Sequence, residues 1–342
     1  MTWRSQTSAM MRAMFARTEL DDGALREHLR AFSIGELLSS RDVSSDGLGQ
    51  SYELATTGGR FLLRALEGER ASELRFEREA LAHLAARDIP VPRMVETHSL
   101  NHAGALEGRV ELTVFELPVG RSLAIFEVTP DHAAHVGAVL ARLHVAGRGL
   151  RRRRVLRPTT TDLGRMLERA SSRVQAAQHV RDVRVLALEL VRHVVPRRLP
   201  SGLLVGGLGV NKARFERGAL VAVADLSGCA TGPFVVDLAM ALTEWAFWKD
   251  ALVPERARAL VAGYQSIRRL TPAERGSLFD SCCLAATRAA TLVLVLHEVE
   301  GPSLPPGAYQ DYRHHMLRLA ALRSLGASAF RDAVLGRRIL DA

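Results

Sequence analysis

The first hundred residues carry the hydrophobic pattern of a small sheet and one long helix. Strand-like runs flank Thr57, Gly58 and Gly59, whose glycines tolerate the positive φ of a tight hairpin. Leucines at 74, 81 and 84 then share one face of a helix. The predicted elements are a helix from Asp21 or Asp22 to about Phe32, strands at 52–56, 60–66, 93–98 and 108–115, and a helix over 70–87.

Beyond Glu116 the spacing of apolar residues becomes mostly helical. Thr129-Pro130 can begin one helix and Gly147 can end it, because proline suits a first turn and glycine the left-handed cap. The stretch Thr271-Pro272-Ala273-Glu274 forms a capping box for the longest helix. We predict helices at 130–147, 160–178, 182–194, 233–248, 255–267, 272–298 and 309–324, with a strand pair at 203–208 and 219–225 between them.

This change of pattern divides the chain into three parts. We expect a basic, disordered extension at 1–20, a smaller lobe at 21–116 with a sheet and a long helix, and a larger helical lobe at 117–342. The extension lacks the apolar core of a secretion signal. The longest apolar runs, such as LVLVL at 292–296, are too short to cross a bilayer. The fold class is therefore α+β with two lobes, an antiparallel sheet in the smaller one and helices in the larger.

The composition indicates a basic protein, and its cysteines favour a reducing environment. The chain has 342 residues, 47% of them hydrophobic, and a formal charge of +9. Its densest basic patch is Arg151–Arg154 with Arg148 and Arg157, which can attract a polyanion. No aromatic residues are interleaved for base stacking, so we expect a solvated loop and no nucleic-acid partner. The three cysteines show neither a disulfide framework nor metal-ligand spacing, which favours the cytoplasm and no structural zinc.

Two short blocks carry the candidate chemistry: LLVGGLGVNKARF at 203–215 and LVAVADL at 220–226. Their layout resembles the catalytic loop and the following strand of the homoserine kinase and aminoglycoside phosphotransferase superfamily. Further segments continue the resemblance in order and spacing from about Phe15 to about Arg323, and they most resemble type II homoserine kinases. These segments include EALAHLAARDIPVPR (79–93), ELPVGRSL (116–123), LARLHVAG (140–147) and GPFVVDLAMALTEWAF (232–247). The resemblance implies a protein-kinase-like fold.

The chemical residues of the family motif H-G/A-D-L-F-x-D-N are mostly replaced. In an ungapped alignment with this motif, Val205 takes the position of the His, Gly207 that of the catalytic Asp and Lys212 that of the metal-binding Asn. Asp225, which aligns with the metal-binding Asp of the second strand, is kept. Glycine cannot orient a hydroxyl or accept its proton. A lysine brings positive charge where a metal needs an oxygen ligand. The Lys212 ammonium can instead neutralise Asp225 or bind an anion, or simply face solvent.

The resemblance also implies a nucleotide site and two supporting residues. Gly47 and Gly49 would belong to the loop over the phosphates, although two glycines before a strand also make an ordinary turn. Arg64 would replace the phosphate-binding Lys, with Glu79 as its ion-pair partner, unless the pair is purely structural. The resemblance implies structural roles for two further residues: Asp237 would brace the catalytic loop, and His144 would pack in the core.

We therefore predict a pseudokinase, a catalytically inactive relative that acts as a binding, scaffolding or regulatory module. No cofactor is expected, and its partner is a protein, acidic if the arginine-rich patch binds it. The alternative is an active kinase of homoserine or a similar amino alcohol with an atypical site, which would use Mg²⁺ and ATP. A weaker alternative is a polyanion-binding protein. The sequence leaves the oligomeric state open.

Overall fold

The computed structural model describes residues 21–43, 50–67, 71–97, 110–193, 198–295 and 311–336. The chain divides into two compact units, one formed by the residues up to Ala85 with Val91–Pro118 and the other by Ala86–Pro90 with Val119–Ala342. The smaller unit contains an antiparallel sheet and the larger one is mainly helical. Among the helices of the described part, none is long and apolar enough to span a membrane.

The smaller unit is a four-stranded antiparallel sheet in the order β1-β2-β3-β4, with two helices. Its apolar core joins the first helix to the sheet through residues such as Leu25, Ile34 and Leu63, all fully buried. The elements are α1 (Asp22–Leu29), β1 (Leu37–Asp42), β2 (Gln50–Thr56), β3 (Gly59–Glu67), α2 (Ala71–Ala85) and β4 (Val110–Glu116).

Two details of this sheet differ from the prediction. Strand β1 was missed because only Leu37 among its six residues is buried, so it lacks an alternating apolar pattern. Over its described residues, 93–97, the strand expected at 93–98 does not form. Met94 and Thr97 make only isolated bridges, to Phe115 and Phe32 respectively. An apolar run without a continuous partner strand therefore remains irregular here.

Within the described residues, the larger unit contains helices and three short two-stranded antiparallel pairings. Its helices are α3 (Pro130–Ala146), α4 (Thr160–Ser171), α5 (Ala177–Arg192), α6 (Phe234–Trp245), α7 (Pro254–Ile267), α8 (Pro272–Val293) and α9 (Tyr312–Leu335). Its strands are β5 (Ser201–Leu204), β6 (Ala213–Glu216), β7 (Ala219–Val223), β8 (Ala230–Pro233), β9 (Phe247–Trp248) and β10 (Ala251–Leu252). The predicted capping box at Thr271 is present, with Glu274 as its N3 residue. The helix predicted to begin at Thr129-Pro130 does so, and it has a capping box with His132 at N3 that was not predicted.

The strands of the larger unit pair differently from the prediction. Residues 203–208 and 219–225 were expected to pair with each other, but β5 pairs with β8 and β6 pairs with β7. The expected left-handed cap at Gly147 is also wrong, since its φ is −69°. Glycine is required there for space, because a Cβ would lie 2.6 Å from the Cβ of Leu203.

Helices α3 and α7 approach each other closely enough for their backbones to touch. A Cβ on Gly137 of α3 would lie 1.9 Å from the carbonyl oxygen of Leu260, and one on Gly263 of α7 would lie 2.1 Å from that of Ala134. Side chains at either position would push the two helices apart. This contact fixes His144 and Tyr264, which lie on these helices, against each other.

We expect Gly137→Ala to destabilise the protein by about 1–3 kcal/mol, because the added methyl group overpacks the helix contact. Gly164→Ala is the matched control, since Gly164 also lies within a helix but has no neighbouring atom within 4 Å of its Cβ position. That control should stabilise the protein by about 0.5–1 kcal/mol. Urea unfolding of both variants measures the difference, and equal effects would contradict the close helix contact.

Candidate functional site

One buried carboxylate organises the loop that follows β5. Asp237, in the first turn of α6, is fully buried. Its Oδ2 accepts the N–H of Val205 at 2.6 Å, and its Oδ1 accepts those of Gly206 and Gly207 at 3.1 and 3.0 Å. The carboxylate therefore fixes the backbone of three consecutive residues, which is the bracing geometry that the sequence predicts for it.

A second side chain of α6 fixes the next residue of this loop. The indole Nε1 of Trp245 donates to the carbonyl oxygen of Leu208 at 2.7 Å, and the ring packs near Phe215 with centroids 5.8 Å apart. Sequence reasoning assigned no such role to Trp245. The signal was its position two helical turns after Asp237, on the helix that was expected to lie behind the loop.

The two glycines of the loop have left-handed backbone conformations. Gly206 has a φ of +78°, and a Cβ there would lie 1.9 Å from the carbonyl oxygen of Gly228. Gly207 has a φ of +101°, with the Cε of Met240 at 3.3 Å from its Cβ position. Side chains other than glycine are strained in this region. An aspartate at position 207 would thus have to adopt a backbone that it rarely adopts.

Lys212 and Asp225 form an ion pair at the position where the family's metal ligands are aligned. The Lys212 Nζ lies 3.0 Å from Asp225 Oδ2, and the two side chains are 17% and 26% exposed. Ser227 also binds this carboxylate, through its N–H to Oδ1 and its hydroxyl to Oδ2, both at 2.8 Å. The pair is therefore neutral, and both carboxylate oxygens already have hydrogen-bond donors.

The backbone fixes the register that puts Lys212 beside Asp225. The N–H of Ala224 donates to the carbonyl oxygen of Lys212 at 2.6 Å, and Phe215 forms a two-way bridge with Arg121. Asn211 is exposed, and its carbonyl oxygen accepts the Ser122 hydroxyl at 3.2 Å. A one-residue slip that brings Asn211 to a metal would break these contacts. Within the described residues, no three His, Cys, Asp or Glu side chains gather to hold a metal ion.

The loop brace continues into the helical core through His144. This residue is fully buried and stacks on Phe234, with ring centroids 4.5 Å apart. Its Nε2 lies 3.2 Å from Asp237 Oδ2 and its Nδ1 lies 2.7 Å from the Tyr264 hydroxyl. Burial lowers the pKa of His144, although Asp237 opposes this. A neutral His144 that donates from Nε2 and accepts at Nδ1 satisfies both contacts.

Sequence reasoning missed the end of this chain of hydrogen bonds. Burial raises the pKa of Tyr264, so its hydroxyl stays protonated and can donate to His144. Arg268 donates to the Tyr264 oxygen at 3.1 Å and to Glu274 Oε1 at 2.8 Å. Glu274 is the fully buried N3 residue of the capping box at Thr271. The capping box was visible in the sequence, but its buried arginine partner lay outside that local pattern.

In the smaller unit, Arg64 binds a different glutamate from the one predicted. Its Nη1 lies 2.6 Å and 2.8 Å from the two carboxylate oxygens of Glu77, and both residues are buried. Glu79, the predicted partner, lies two residues further along α2. Residues two apart on a helix do not share a face, so the prediction was wrong in its register. Gly47 and Gly49 lie outside the described residues.

The arginine-rich patch contains one structural member. Arg154 donates from Nη1 to the carbonyl oxygens of Ser227 at 3.1 Å and Cys229 at 3.2 Å, in the segment that follows Asp225. Its backbone also binds Thr231 in both directions. Arg151, Arg152 and Arg153 are exposed. The expectation that all four are solvated was therefore wrong for Arg154, which fixes this segment in place.

The element order and the braced loop are those of a protein-kinase-like phosphotransferase, with a small antiparallel-sheet lobe and a larger, mainly helical lobe. The sequence profile of the phosphotransferase enzyme family matches residues 40–276, which is more than half of the chain. The protein belongs to this phosphotransferase enzyme family.

Homoserine kinases are among the proteins of similar sequence, and other kinases are among the solved structures of similar fold. A homoserine kinase of Gluconacetobacter diazotrophicus is 30% identical over 315 residues, 91% of this chain and 96% of its own. One of Methylobacterium radiotolerans is 29% identical over 298 residues, 86% and 91% of the two chains. An amicoumacin kinase shares the fold with a TM-score of 0.64 at 15% identity, over 93% and 95% of the chains. A microcompartment-associated aminopropanol kinase does so with a TM-score of 0.61 at 18% identity, over 92% and 99%.

We expect the protein to lose stability as the pH falls below about 6.5. Burial lowers the pKa of His144 from its ordinary value of 6.5, so the unfolded chain binds a proton that the folded protein does not. Burial acts in the same direction on His193 and His315. Each such histidine costs up to about 1.4 kcal/mol per pH unit until its folded pKa is reached.

Urea unfolding between about pH 7 and pH 5 measures this loss. In His144→Gln the slope of unfolding free energy against pH should be smaller than in the unmodified protein, because one of the titrating groups is gone. His135→Gln, at an exposed position on α3, controls for the loss of a histidine. An unchanged slope in His144→Gln would contradict the assignment of a buried neutral His144.

Proposed function

We propose that this protein is a pseudokinase, a member of the phosphotransferase family that no longer transfers phosphate by the magnesium-dependent route and acts as a binding or regulatory module. The observation that carries the proposal is the ion pair between Lys212 and Asp225, with Nζ and Oδ2 3.0 Å apart. The lysine ammonium supplies, within the protein itself, the positive charge that a metal ion would bring to this carboxylate.

The electrostatics of this pair oppose metal binding. A divalent cation would have to displace the Lys212 ammonium and the hydrogen bonds from Ser227. It would also find no oxygen ligand at position 212, although hard cations require such ligands. If Mg²⁺ were bound with ATP, it would neutralise the phosphates and the charge that develops in phosphoryl transfer. The side chains of Lys212 and Asp225 do not fit a magnesium ion.

The second missing group is the one that would orient and deprotonate the acceptor hydroxyl. In phosphoryl transfer an aspartate orients the attacking hydroxyl and accepts its proton. Gly207 has no side chain for either task. A positioned base contributes about 10²–10⁴-fold to a rate, so its loss and the loss of a metal ligand act on the same step. Asp237 and Trp245 fix the backbone of this loop, at the N–H of Gly207 and the carbonyl oxygen of Leu208.

A second candidate function is an active kinase of homoserine or a similar amino alcohol. Taken alone, the comparisons favour it over the pseudokinase, since the relatives are homoserine kinases about 29% identical over most of the chain. The aminopropanol kinase, similar in fold, points to the same class of acceptor. This function would require Mg²⁺ and ATP, and it would need groups other than residues 207 and 212 to perform their tasks.

We expect the purified protein to phosphorylate homoserine at least about 10³-fold more slowly than an intact relative, whose turnover is on the order of 1–100 s⁻¹. Transfer of labelled phosphate from ATP to homoserine or 1-amino-2-propanol measures this. Turnover in the ordinary range would establish the active kinase instead.

Gly207→Asp with Lys212→Asn should fold, with a cost of about 1–3 kcal/mol for the strained backbone at 207, and should not recover full activity.

Nucleotide binding provides a second readout that does not depend on turnover. Thermal unfolding of the unmodified protein should show no increase in Tm that requires Mg²⁺ and ATP together. Lys212→Asn replaces the ammonium with an amide oxygen and removes its positive charge from beside Asp225, so any metal-dependent increase should appear in this variant. Lys249→Asn is the control for loss of one lysine charge. A metal-dependent increase of several degrees in the unmodified protein would refute the pseudokinase.

A binding module needs a partner, and we propose that exposed Arg151, Arg152 and Arg153 contribute to an acidic protein interface. Reversal of these three charges to glutamate should leave Tm nearly unchanged, because exposed charges contribute little to stability, and should weaken the complex. Reversal of Arg181 and Arg184, exposed on α5, is the matched control. Pull-down followed by mass spectrometry measures recovery, and equal recovery with both variants would exclude this patch as the interface.

A further inference from the structure

The smaller unit contains a cavity of about 280 Å³ beside the edge of its sheet. The walls come from helix α2, from strand β4, from the irregular segment at 94–97 and from Phe32 after α1. Apolar side chains line one part, and they include Phe32, Met94 and Leu112. The volume lies just below the range of about 300–1,000 Å³ typical of small-molecule sites, so it suits a ligand of modest size.

One polar atom in this cavity has its hydrogen-bonding capacity unused. Thr113 lines the cavity and is only 4% exposed. Within the described part of the chain, its Oγ1 is buried without a hydrogen-bond partner. Buried hydroxyl groups in proteins are nearly always hydrogen-bonded, and an unbonded one is costly. A ligand with a polar group at this point would satisfy the hydroxyl.

Two opposite charges face the same cavity without neutralising each other. Arg78, half-buried on α2, and Glu96, exposed in the segment at 94–97, both line it. Among the described residues they form no ion pair with each other, and neither has another hydrogen-bonding partner. A guanidinium binds a carboxylate through two parallel hydrogen bonds, and a carboxylate binds an ammonium group. The cavity therefore offers sites for both charges of a zwitterion.

We propose that this cavity binds a small apolar α-amino acid as a free ligand. Its carboxylate would bind Arg78, its ammonium group would bind Glu96, and the Thr113 hydroxyl would donate to the carboxylate. The apolar side chain would pack on Phe32, Met94 and Leu112. This site is built from residues of the smaller unit alone, and it does not depend on whether the loop at 203–226 is active in catalysis.

Isothermal titration of the full chain with L-leucine tests the proposal, with thermal unfolding as a second readout. We expect saturable binding of L-leucine and an increase in Tm. Two analogues each lack one charge: 4-methylpentanoate has no ammonium group and 3-methylbutylamine has no carboxylate. Both should bind at least about tenfold more weakly, since each loses charge-assisted hydrogen bonds. L-glutamate, which lacks the apolar side chain, should also bind more weakly.

Variants of the cavity locate the site. Arg78→Met should weaken L-leucine binding about tenfold or more. Arg75→Met is the control, because Arg75 is exposed on the same helix and does not line the cavity. Thr113→Val removes the unbonded hydroxyl at nearly constant volume, so it should keep or raise the Tm of the unliganded protein and weaken binding. The proposal is overturned if the unmodified protein shows no saturable binding of L-leucine, valine or methionine at millimolar concentration, or if Arg78→Met and Arg75→Met bind equally well.

Discussion

The buried carboxylate of Asp237 is the interaction on which the larger unit's loop depends. It accepts three consecutive backbone N–H groups and faces Nε2 of His144. An unsatisfied buried donor costs about 1–3 kcal/mol, while a whole domain is stable by only about 5–15 kcal/mol. Loss of this one carboxylate would therefore remove a large share of the total stability. The loop is held in place by the fold whether or not it performs chemistry.

The side chains that would perform chemistry contribute less to this stability. Asp237 and Trp245 bind backbone atoms of residues 205–208. The left-handed backbone at Gly207 favours glycine there. The ion pair of Lys212 with Asp225 is partly exposed, and pairs of that kind contribute little to stability. The contacts that brace this loop are thus mostly distinct from the positions that would carry its chemistry.

Local signals in the sequence predicted most helices of this fold, whereas contacts between distant residues were predicted wrongly. The capping box at Thr271 and the helix start at Thr129-Pro130 depend on residues at most three positions apart, and the structure has both. Strand pairing depends on partners far apart, so the apolar runs near 203 and 220 predicted two strands but paired them wrongly. Arg64 illustrates the same limit. Predicting Glu77 rather than Glu79 as its ion-pair partner requires knowing how α2 is rotated about its axis.

The same distinction would explain how a chain can match a family of kinases and yet, as proposed, lack their reactive side chains. Identity of about 29% over most of the chain is an average, and the positions that build the core and the loop brace far outnumber those that touch a substrate. A fold can therefore be inherited intact while its chemistry changes, since fold alone does not determine function. In the proposed pseudokinase two positions five residues apart would decide the activity: Gly207 would remove a base, and Lys212 would replace a metal ligand with a cation that is ion-paired with Asp225. Overall similarity is nearly insensitive to these two residues, whereas phosphoryl transfer depends directly on both.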